Sequence, residues 1–313
     1  MEEKIKVYYG LNFQSVVLEK SFYILKDEIY TYYLVPYERP DADLSDLYET
    51  TQELMRKGIA CHSFVLNRNN QILTSIERTN YCLMRINFPE EHEFNLSDIL
   101  GMNKVAVLSS AKSNLYRNDW ANLWSEKIDY FEYQMSELGS NKKVIINSLS
   151  YYIGLAENAI SYVNNTETNL KDDNQRVVLC RKRVYSPNYG INYLNPLNFI
   201  FDLEVRDIAE YIKTSFFNEV DIWVEIDEMF MNRRFTPYEA HMFFARLLYP
   251  SYYFDVYEKV MDKDASEDEL IHIVKKVDDY EIFLIEIYNY LNNFTPMVSI
   301  DWLIKKGPKS PQE

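Results

Sequence analysis

The basic side chains that could do chemistry cluster at Arg176, Arg181, Lys182 and Arg183, around the apolar run Val177–Cys180. Guanidinium and ammonium groups attract anions and acidic partners, but a guanidinium neither accepts a proton at neutral pH nor binds Mg²⁺. The cluster therefore predicts either a site that binds an anion or a partner, or a solvated loop that offsets its acidic neighbours. Both interpretations stay open at this point.

Two carboxylates and an arginine follow this cluster, at Asp202, Arg206 and Asp207. Asp202 could ligate a metal ion, but its place before an apolar helical run makes the helix N-cap the favoured interpretation. Arg206 is expected to pair with Glu204 or Glu210, which are close to it in sequence. These residue types predict that the helix start is braced by hydrogen bonds and ion pairs.

Other common chemistries find little support in the residue types. Cys61, Cys82 and Cys180 are widely spaced and odd in number, which predicts buried thiols instead of disulfides or a metal knuckle. The 4 histidines are scattered, so a zinc site is not expected. The chain has only 7 glycines and no GxGxxG or GxxxxGK loop to bring backbone N–H groups to a phosphate. We therefore expect no cofactor and no metal.

Length, composition and charge exclude several classes of function. The chain has 313 residues, 47% of them hydrophobic, which is enough for a packed core. A formal charge of −15 argues against nucleic acid and against anionic membrane surfaces, both of which attract basic proteins. No apolar run is long enough to insert into a membrane, and the acidic start lacks a signal core. We expect synthesis in the cytoplasm.

The elements that must position these residues fall into a β-rich and a helical region. We predict a β-rich N-lobe over 1–88, a connector over 89–104, a helical C-lobe over 105–304 and a flexible tail over 305–313. In the N-lobe, β-branched and aromatic runs predict two hairpins and a fifth strand, over 21–25 with 29–37, 63–66 with 72–76, and 81–86. One helix over 44–57 is expected between them, capped by Asp43 and ended by Gly58.

The C-lobe pattern predicts long amphipathic helices with recognisable starts. Helical spacing of apolar residues indicates helices over 119–138 and 147–163, the first with Trp120 and Leu123 among its inward residues. Thr236–Glu239 and Ser266–Glu269 both read as capping boxes, so helices are expected to begin there. Tyr249-Pro250 should end the helix that starts at Thr236.

Several strings spread in order along the chain resemble one protein family. The strings are Tyr33-Leu34-Val35-Pro36, Leu47-Tyr48-Glu49, Ser63–Asn67, Tyr151–Ile160, Asp202–Tyr211 and Ala245–Pro250. They resemble YutH-type spore coat proteins, within the CotS-like family of the aminoglycoside-phosphotransferase/choline-kinase-like fold. The resemblance implies an α+β, bilobal protein-kinase-like fold, with a small β-rich N-lobe and a large helical C-lobe. It also implies expression in the mother cell and deposition in the spore coat.

The same resemblance implies where catalytic groups would stand in an active relative. The lysine of the third strand falls on Val35, the catalytic base on Arg183, and the metal ligand in a window that holds Asn195 and Asn198. None of these side chains supplies the charge that phosphoryl transfer needs. Asp207 matches an aspartate that braces the catalytic loop through its backbone, a role that does not require catalysis.

We therefore expect a catalytically inactive kinase-fold protein, a pseudokinase, that serves as a structural or docking component of the endospore coat. Its expected partners are other spore coat proteins. One alternative is an active small-molecule phosphotransferase with relocated catalytic residues, such as Asp202 and Asp207. Another is nucleotide binding without turnover, which needs an apolar adenine slot that Ile24, Leu34, Val65 and the region of Phe88 could line.

Overall fold

The computed structural model describes most of the chain and divides it into two compact units. The described residues are 1–19, 21–87, 95–105, 113–138, 142–171, 175–184, 193–263 and 265–306. One unit comprises Met1–Tyr116 with Val178–Phe201, and the other Arg117–Val177 with Asp202–Glu313. Part of the predicted connector, residues 89–94, and the tail residues 307–313 lie outside the described residues. The predicted lobe limits stay a prediction.

The first unit is built on an antiparallel sheet with the strand order β1-β2-β3-β6-β4, in which β5 also pairs with β6. The strands are β1 (Ser15–Glu19), β2 (Phe22–Lys26), β3 (Thr31–Pro36), β4 (Ser63–Val65), β5 (Leu73–Ile76) and β6 (Thr79–Ile86). Strand β6 is long enough to pair with β3 along one edge and with β4 and β5, end to end, along the other. The predicted hairpin between 21–25 and 29–37 is confirmed as β2–β3.

The predicted second hairpin is wrong, because β4 and β5 pair with β6 and not with each other. A hydrogen-bonded turn at Asn67 lies between them: the Asn70 N–H donates to Asn67 O, Asn67 Oδ1 accepts from the N–H groups of Asn69 and Gln71, and Asn67 Nδ2 donates to Leu73 O. The two-residue hairpin turn lies one strand later, where Glu77 and Arg78 both have positive φ, at 51° and 72°. This is the backbone of a type I′ hairpin turn without its usual Asn-Gly.

Helices α1 (Glu2–Tyr9), α2 (Asp43–Arg56) and α3 (Leu96–Val105) complete the described helices of this unit. Helix α1 was not predicted; it buries Ile5 and Tyr9 in a cluster with Leu25 and Leu34 of the sheet. Helix α2 was predicted, and Gly58, with a φ of 71°, follows its end. Asp43 does not cap α2, whose N-cap residue is Ala42, because its carboxylate pairs with Arg39 instead.

The second unit is helical. Its helices include α4 (Trp120–Leu138), α5 (Lys143–Asn169), α6 (Val205–Phe217), α7 (Trp223–Asn232), α8 (Pro237–Leu248), α9 (Ser251–Met261), α10 (Asp268–Lys275), α11 (Val277–Asn292) and α12 (Asp301–Lys306). Aromatic side chains fill the core between them; the rings of Tyr152 and Tyr253, for example, stack with centroids 3.7 Å apart. The prediction that α4 turns Trp120 inward is confirmed, because Trp120 is buried. The same prediction is wrong for Leu123, which is 39% exposed.

Of the two predicted capping boxes, one is confirmed and the other is wrong. The box at Thr236 is confirmed, with reciprocal bonds between Thr236 and Glu239, and α8 ends at Leu248 as predicted. The box at Ser266 is wrong: α10 begins at Asp268 and has no side-chain cap. The carboxylate of Glu267 instead accepts from Val144 N–H (3.0 Å) and Ile145 N–H (3.3 Å). It caps α5, a distant helix in sequence.

Strands β7 (Val177–Arg181) and β8 (Phe199–Leu203) form a separate two-stranded sheet. At one end the Lys182 N–H donates to Asn198 O at 2.6 Å. At the other end the Glu204 N–H donates to Arg176 O at 3.2 Å. A 3₁₀ turn over Pro196–Asn198 leads directly into β8. Of the residues singled out for their chemistry, Arg181 lies in β7 and Asp202 in β8, while Arg176, Lys182 and Asn198 lie next to the strand ends.

Candidate functional site

The loop after β7 is held by the side chain of Asn198. Its Oδ1 accepts from the Arg183 N–H at 2.9 Å, and its Nδ2 donates to Arg183 O at 2.7 Å. An amide group offers a donor and an acceptor side by side, which matches the backbone N–H and C=O of one residue. Both polar atoms of Asn198 therefore serve to fix the backbone at the predicted base position.

Arg181 was predicted to belong to a site that binds an anion or a partner, or to a solvated loop; the solvated loop is wrong for Arg181, because its side chain is completely buried. Its guanidinium lies 3.8 Å from the ring centroid of Tyr193 and donates to Tyr193 O and Leu179 O at 2.9 and 3.1 Å. A planar guanidinium can stack on an aromatic face while its N–H groups reach carbonyls. Arg181 is thus a packing residue of the first unit.

The other members of the predicted patch differ from Arg181 in exposure and in their partners. Lys182 is exposed and Arg183 is half-buried, with its Nη1 donating to Lys182 O at 2.9 Å. Arg176 belongs to the second unit, where its guanidinium lies 3.4 Å from the buried carboxylate of Glu204. Arg233 approaches the same carboxylate at 3.0 Å.

Asn195 and Val35 occupy the remaining positions where catalytic groups were sought. Asn195 caps the 3₁₀ turn, since its Oδ1 accepts from the Leu197 N–H at 2.9 Å. Val35 lies in β3 opposite Cys82, and β3 contains neither lysine nor arginine. Neither side chain supplies a charge.

An ion pair that the sequence did not predict lies just after β3. Arg39 donates Nε and Nη2 to one carboxylate oxygen of Asp43 at 2.9 and 2.8 Å, and both side chains are buried. Its Nη1 also reaches the carbonyls of Leu197 and Phe199 at 3.0 and 2.7 Å. Arg39 therefore ties the start of α2 to the 3₁₀ turn. Arg39 and Asp43 are four residues apart in the sequence, and this spacing could have indicated the ion pair.

The predicted adenine slot is not assembled by the sheet. Side chains alternate between the two faces of a strand, and the register pairs Ile24 with Tyr33 but Leu34 with Tyr23. Ile24 and Leu34 therefore lie on opposite faces. Leu34 is wholly buried with α1, and Val65 packs against the same cluster. Phe88, the fourth predicted contributor, lies outside the described residues.

In the second unit, Asp202 and Arg206 form a buried pair. Asp202 Oδ2 lies 2.9 Å from Arg206 Nε, while its Oδ1 accepts from Trp120 Nε1 at 2.8 Å and from the Leu203 N–H at 2.7 Å. Burial raises the pKa of Asp202 to about 6, although Arg206 opposes this. Asp207, also buried, lies 3.4 Å from Arg206 Nη1. The three residues that were predicted to brace the helix start, Asp202, Arg206 and Asp207, are therefore in contact through Arg206.

Two details of that prediction are wrong. Asp202 is not an N-cap: it lies in β8, and α6 begins after Glu204 without a side-chain cap. The ion pairs of Arg206 are with Asp202 and Asp207, whereas Glu204 and Glu210 pair with other cations. The strand extends further than the apolar pattern indicated, so Asp202 is enclosed in the core instead of standing at a helix end.

A second buried network, which the sequence did not predict, joins α6 to the end of α8. Lys213 Nζ lies 2.8 Å from Glu210 and donates to Tyr249 O and Ser251 Oγ. Arg246 Nε reaches Glu210 at 2.6 Å. Burial lowers the pKa of Lys213 to about 8, and although burial opposes ionisation of Glu210, Lys213 and Arg246 hold its pKa well below the usual range.

Other kinds of site were sought among the described residues. No group of three or more His, Cys, Asp or Glu side chains is placed there to hold a metal ion. Within the same residues, no helix has the length and apolar character needed to span a bilayer. Cys61, Cys82 and Cys180 are buried, as predicted.

Comparison with known proteins shows both a family and a fold. The family described as "Spore coat putative kinase YutH" matches residues 2–287. The chain is 26% identical to the "Endospore coat-associated protein YutH" of Bacillus subtilis (strain 168), over 96% of this chain and 97% of that protein.

Solved structures support the α+β kinase-like fold class. The structure resembles an aminoglycoside phosphotransferase from Alicyclobacillus acidocaldarius with a TM-score of 0.64 at 10% identity, covering 91% of this chain and 94% of that one. It also resembles the AMP-bound spectinomycin phosphotransferase, with a TM-score of 0.61 at 14% identity, covering 91% and 96%. At such identities the likeness shows the fold alone, and it confirms the predicted fold class.

Proposed function

This chain belongs to the spore coat putative kinase YutH family, and we propose that it is a catalytically inactive member that serves as a structural or docking component of the endospore coat. The observation that carries the proposal is the pair of hydrogen bonds between Asn198 and Arg183. Arg183 stands where the family resemblance places the catalytic base, and Asn198 uses both polar atoms of its side chain to fix that residue's backbone.

The strand that should supply a lysine supports the same proposal. In protein kinases a lysine on the third strand binds the nucleotide phosphates. Here Val35 shares its sheet face with Tyr33, because alternate residues of a strand point the same way. Tyr33 is buried and packs edge-on against Phe22, with ring centroids 5.3 Å apart. The sheet face that carries Val35 therefore also carries the rings of Phe22 and Tyr33, and β3 contributes no lysine or arginine to it.

The turn between β1 and β2 also differs from a phosphate-binding loop. Protein kinases carry a glycine-rich loop at this place, which covers the phosphates. The closing pair Glu19–Phe22 leaves a connection of only two residues, and neither is glycine. Without glycine, this sequence lacks the residue type that lets backbone N–H groups approach a phosphate closely.

Buried ion pairs support a scaffold role for the residues that remain. Arg39–Asp43 in the first unit and Asp202–Arg206 in the second join segments that flank the degenerate positions. Such pairs set geometry whether or not chemistry takes place. Asp202, the group for a relocated metal site, is already engaged by Arg206 and Trp120, which weighs against the alternative of an active phosphotransferase.

Localisation in sporulating cells tests the coat assignment. The relative from Bacillus subtilis is named a coat-associated protein, and we propose that this chain is made in the mother cell and then joins the coat. A fluorescent fusion should form a shell around the forespore, and the shell should be lost in strains that cannot assemble the coat. A diffuse cytoplasmic signal throughout sporulation would contradict the assignment.

A further inference from the structure

A surface groove of about 440 Å³ lies in the second unit, between the end of α6, the start of α7 and one side of α11. Its floor is aromatic: the ring of Phe283 lies 5.0 Å from that of Phe216 and 5.5 Å from that of Trp223, between centroids. Val220 on one wall is 39% exposed and Ile282 on the other is 52% exposed. The groove thus keeps apolar surface open to solvent.

Carboxylates surround this apolar floor on both walls. On α11, Asp279 and Glu286 lie one helical turn before and after the pair Ile282–Phe283, and both are exposed. Glu219 and Asp221 stand on the opposite wall. Lys276 also lines the groove, but its Nζ already lies 2.8 Å from Glu219 and 3.2 Å from Phe217 O. In the described part of the chain, no cation is within ion-pair distance of Asp279 or Glu286.

This combination restricts what can cover the groove. An acidic segment would be repelled by the rim, and a purely apolar one would remove water from carboxylates without replacing it. A small hydrophilic cation would satisfy the rim and leave the aromatic floor exposed. Lys and Arg can lay their apolar stems on such a surface while the charged end meets a carboxylate. The occupant must therefore be both cationic and apolar.

We propose that this groove docks a basic segment of a partner polypeptide, one in which Lys or Arg alternates with aliphatic residues. The aliphatic side chains would pack on the exposed Val220 and Ile282, and the cations would lie against Asp279 and Glu286. The partner's identity as a coat component rests on the proposed docking function. The chemistry of the groove does not, because none of its lining residues belongs to β7, to β8 or to the sequence between them.

Fluorescence anisotropy with the full chain and a labelled octapeptide of alternating Lys and Leu tests the proposal. Asp279→Lys combined with Glu286→Lys should weaken binding about tenfold or more, since attraction becomes repulsion. The matched control is Glu132→Lys with Glu157→Lys, which makes the same change of net charge at exposed sites on α4 and α5. The control should bind within about twofold of the unchanged protein.

A second arm tests the apolar floor. An octapeptide of alternating Lys and Ser should bind about tenfold more weakly than the Lys–Leu peptide, and Ile282→Ser should reduce the difference. Equal weakening in the groove and control variants, or equal binding of both peptides, would overturn the proposal. The proposal would also be overturned if the Lys–Leu peptide did not bind. The same holds if spermidine, added at the same concentration of positive charge as the peptide, displaced the peptide completely.

These outcomes are distinct from those for catalytic inactivity. Mg²⁺-dependent binding of ATP with groove binding intact would contradict the inactive site alone. Loss of groove binding with no response to ATP would contradict the docking surface alone.

Discussion

Asn198 stands where the family resemblance places a metal ligand, and its two hydrogen bonds to the Arg183 backbone give it a structural role. The change Asn198→Asp separates these roles. An aspartate would keep the bond from the Arg183 N–H but would place an oxygen against Arg183 O, where the amide now donates at 2.7 Å. We expect unfolding in urea to show a loss of about 1–3 kcal/mol, with no stabilisation by Mg²⁺.

The control for this change is Asn164→Asp, at an exposed position on α5. It should alter the free energy of unfolding by less than about 0.5 kcal/mol. The contrary result is that Mg²⁺ stabilises Asn198→Asp more than it stabilises the unchanged chain. The segment that holds Asn195 and Asn198 would then be a metal site in which an asparagine has replaced a negatively charged ligand.

Glu210 is expected to contribute to the stability of the fold, because it neutralises both Lys213 and Arg246 in the core. Glu210→Gln would leave two buried cations without their shared carboxylate and should cost about 3 kcal/mol at neutral pH. The matched control is Glu53→Gln, whose partner Lys57 forms an exposed pair four residues away. That change should cost no more than about 0.5 kcal/mol.

The pH dependence of the same variant has a definite sign. Burial opposes ionisation of Glu210, but the two cations hold its pKa below the usual value of 4.5, so its stabilising contribution is complete above that pH and is lost as the pH falls below it. The stability difference between the unchanged chain and Glu210→Gln should shrink in acid. A difference that grows in acid would contradict an ionised Glu210.

Sequence patterns predicted single residues well only where the partner was close in the chain. Thr236 and Glu239 lie three residues apart and form the predicted capping box. The partners of Arg181, which include Tyr193, could not be found in this way, because an exposed basic run and a buried stacked arginine look the same in sequence. The packing of strands and loops decides between them.

At the level of secondary-structure elements, Glu267 shows how a local pattern can point to the wrong helix. The sequence predicted that Glu269 reaches back to Ser266 at the start of α10, whereas Glu267 accepts two N–H bonds at the start of α5. Glu267→Ala should therefore cost about 1 kcal/mol, and Glu269→Ala, at an exposed position, should cost less than about 0.5 kcal/mol. Thermal unfolding of both variants measures this. The reverse order would restore the predicted capping box.

Strand pairing was the least predictable property of the elements. The run over 63–66 and the run over 72–76 have strand patterns and are strands, but each pairs with β6. Pairing depends on long-range contacts and on the loop that Asn67 organises, neither of which periodicity records. Helix α1 escaped prediction because its apolar contacts, Ile5 and Tyr9, are too few to give a clear period.

For the whole molecule, a β-rich part followed by a helical part was predictable from the change of hydrophobic period along the chain. The kinase-like fold was not: it came from the resemblance of ordered strings, and solved structures confirm it. The catalytic state is a further step, because fold does not determine function. We propose that it depends on Val35, Arg183, Asn195 and Asn198, where the family resemblance places the catalytic groups and where the chain has none of a phosphotransferase's charges.

Thermal unfolding of the full chain with millimolar ATP, with and without Mg²⁺, tests this central claim most directly. A ligand that binds only the native state must stabilise it, by about 2.7 kcal/mol at a hundredfold excess over Kd. We predict no rise in Tm with ATP under either condition, and the same result with GTP. A Mg²⁺-dependent rise with ATP would contradict the account, because the chain would then bind a nucleotide without a β3 lysine and with Arg183 where the family resemblance places the base.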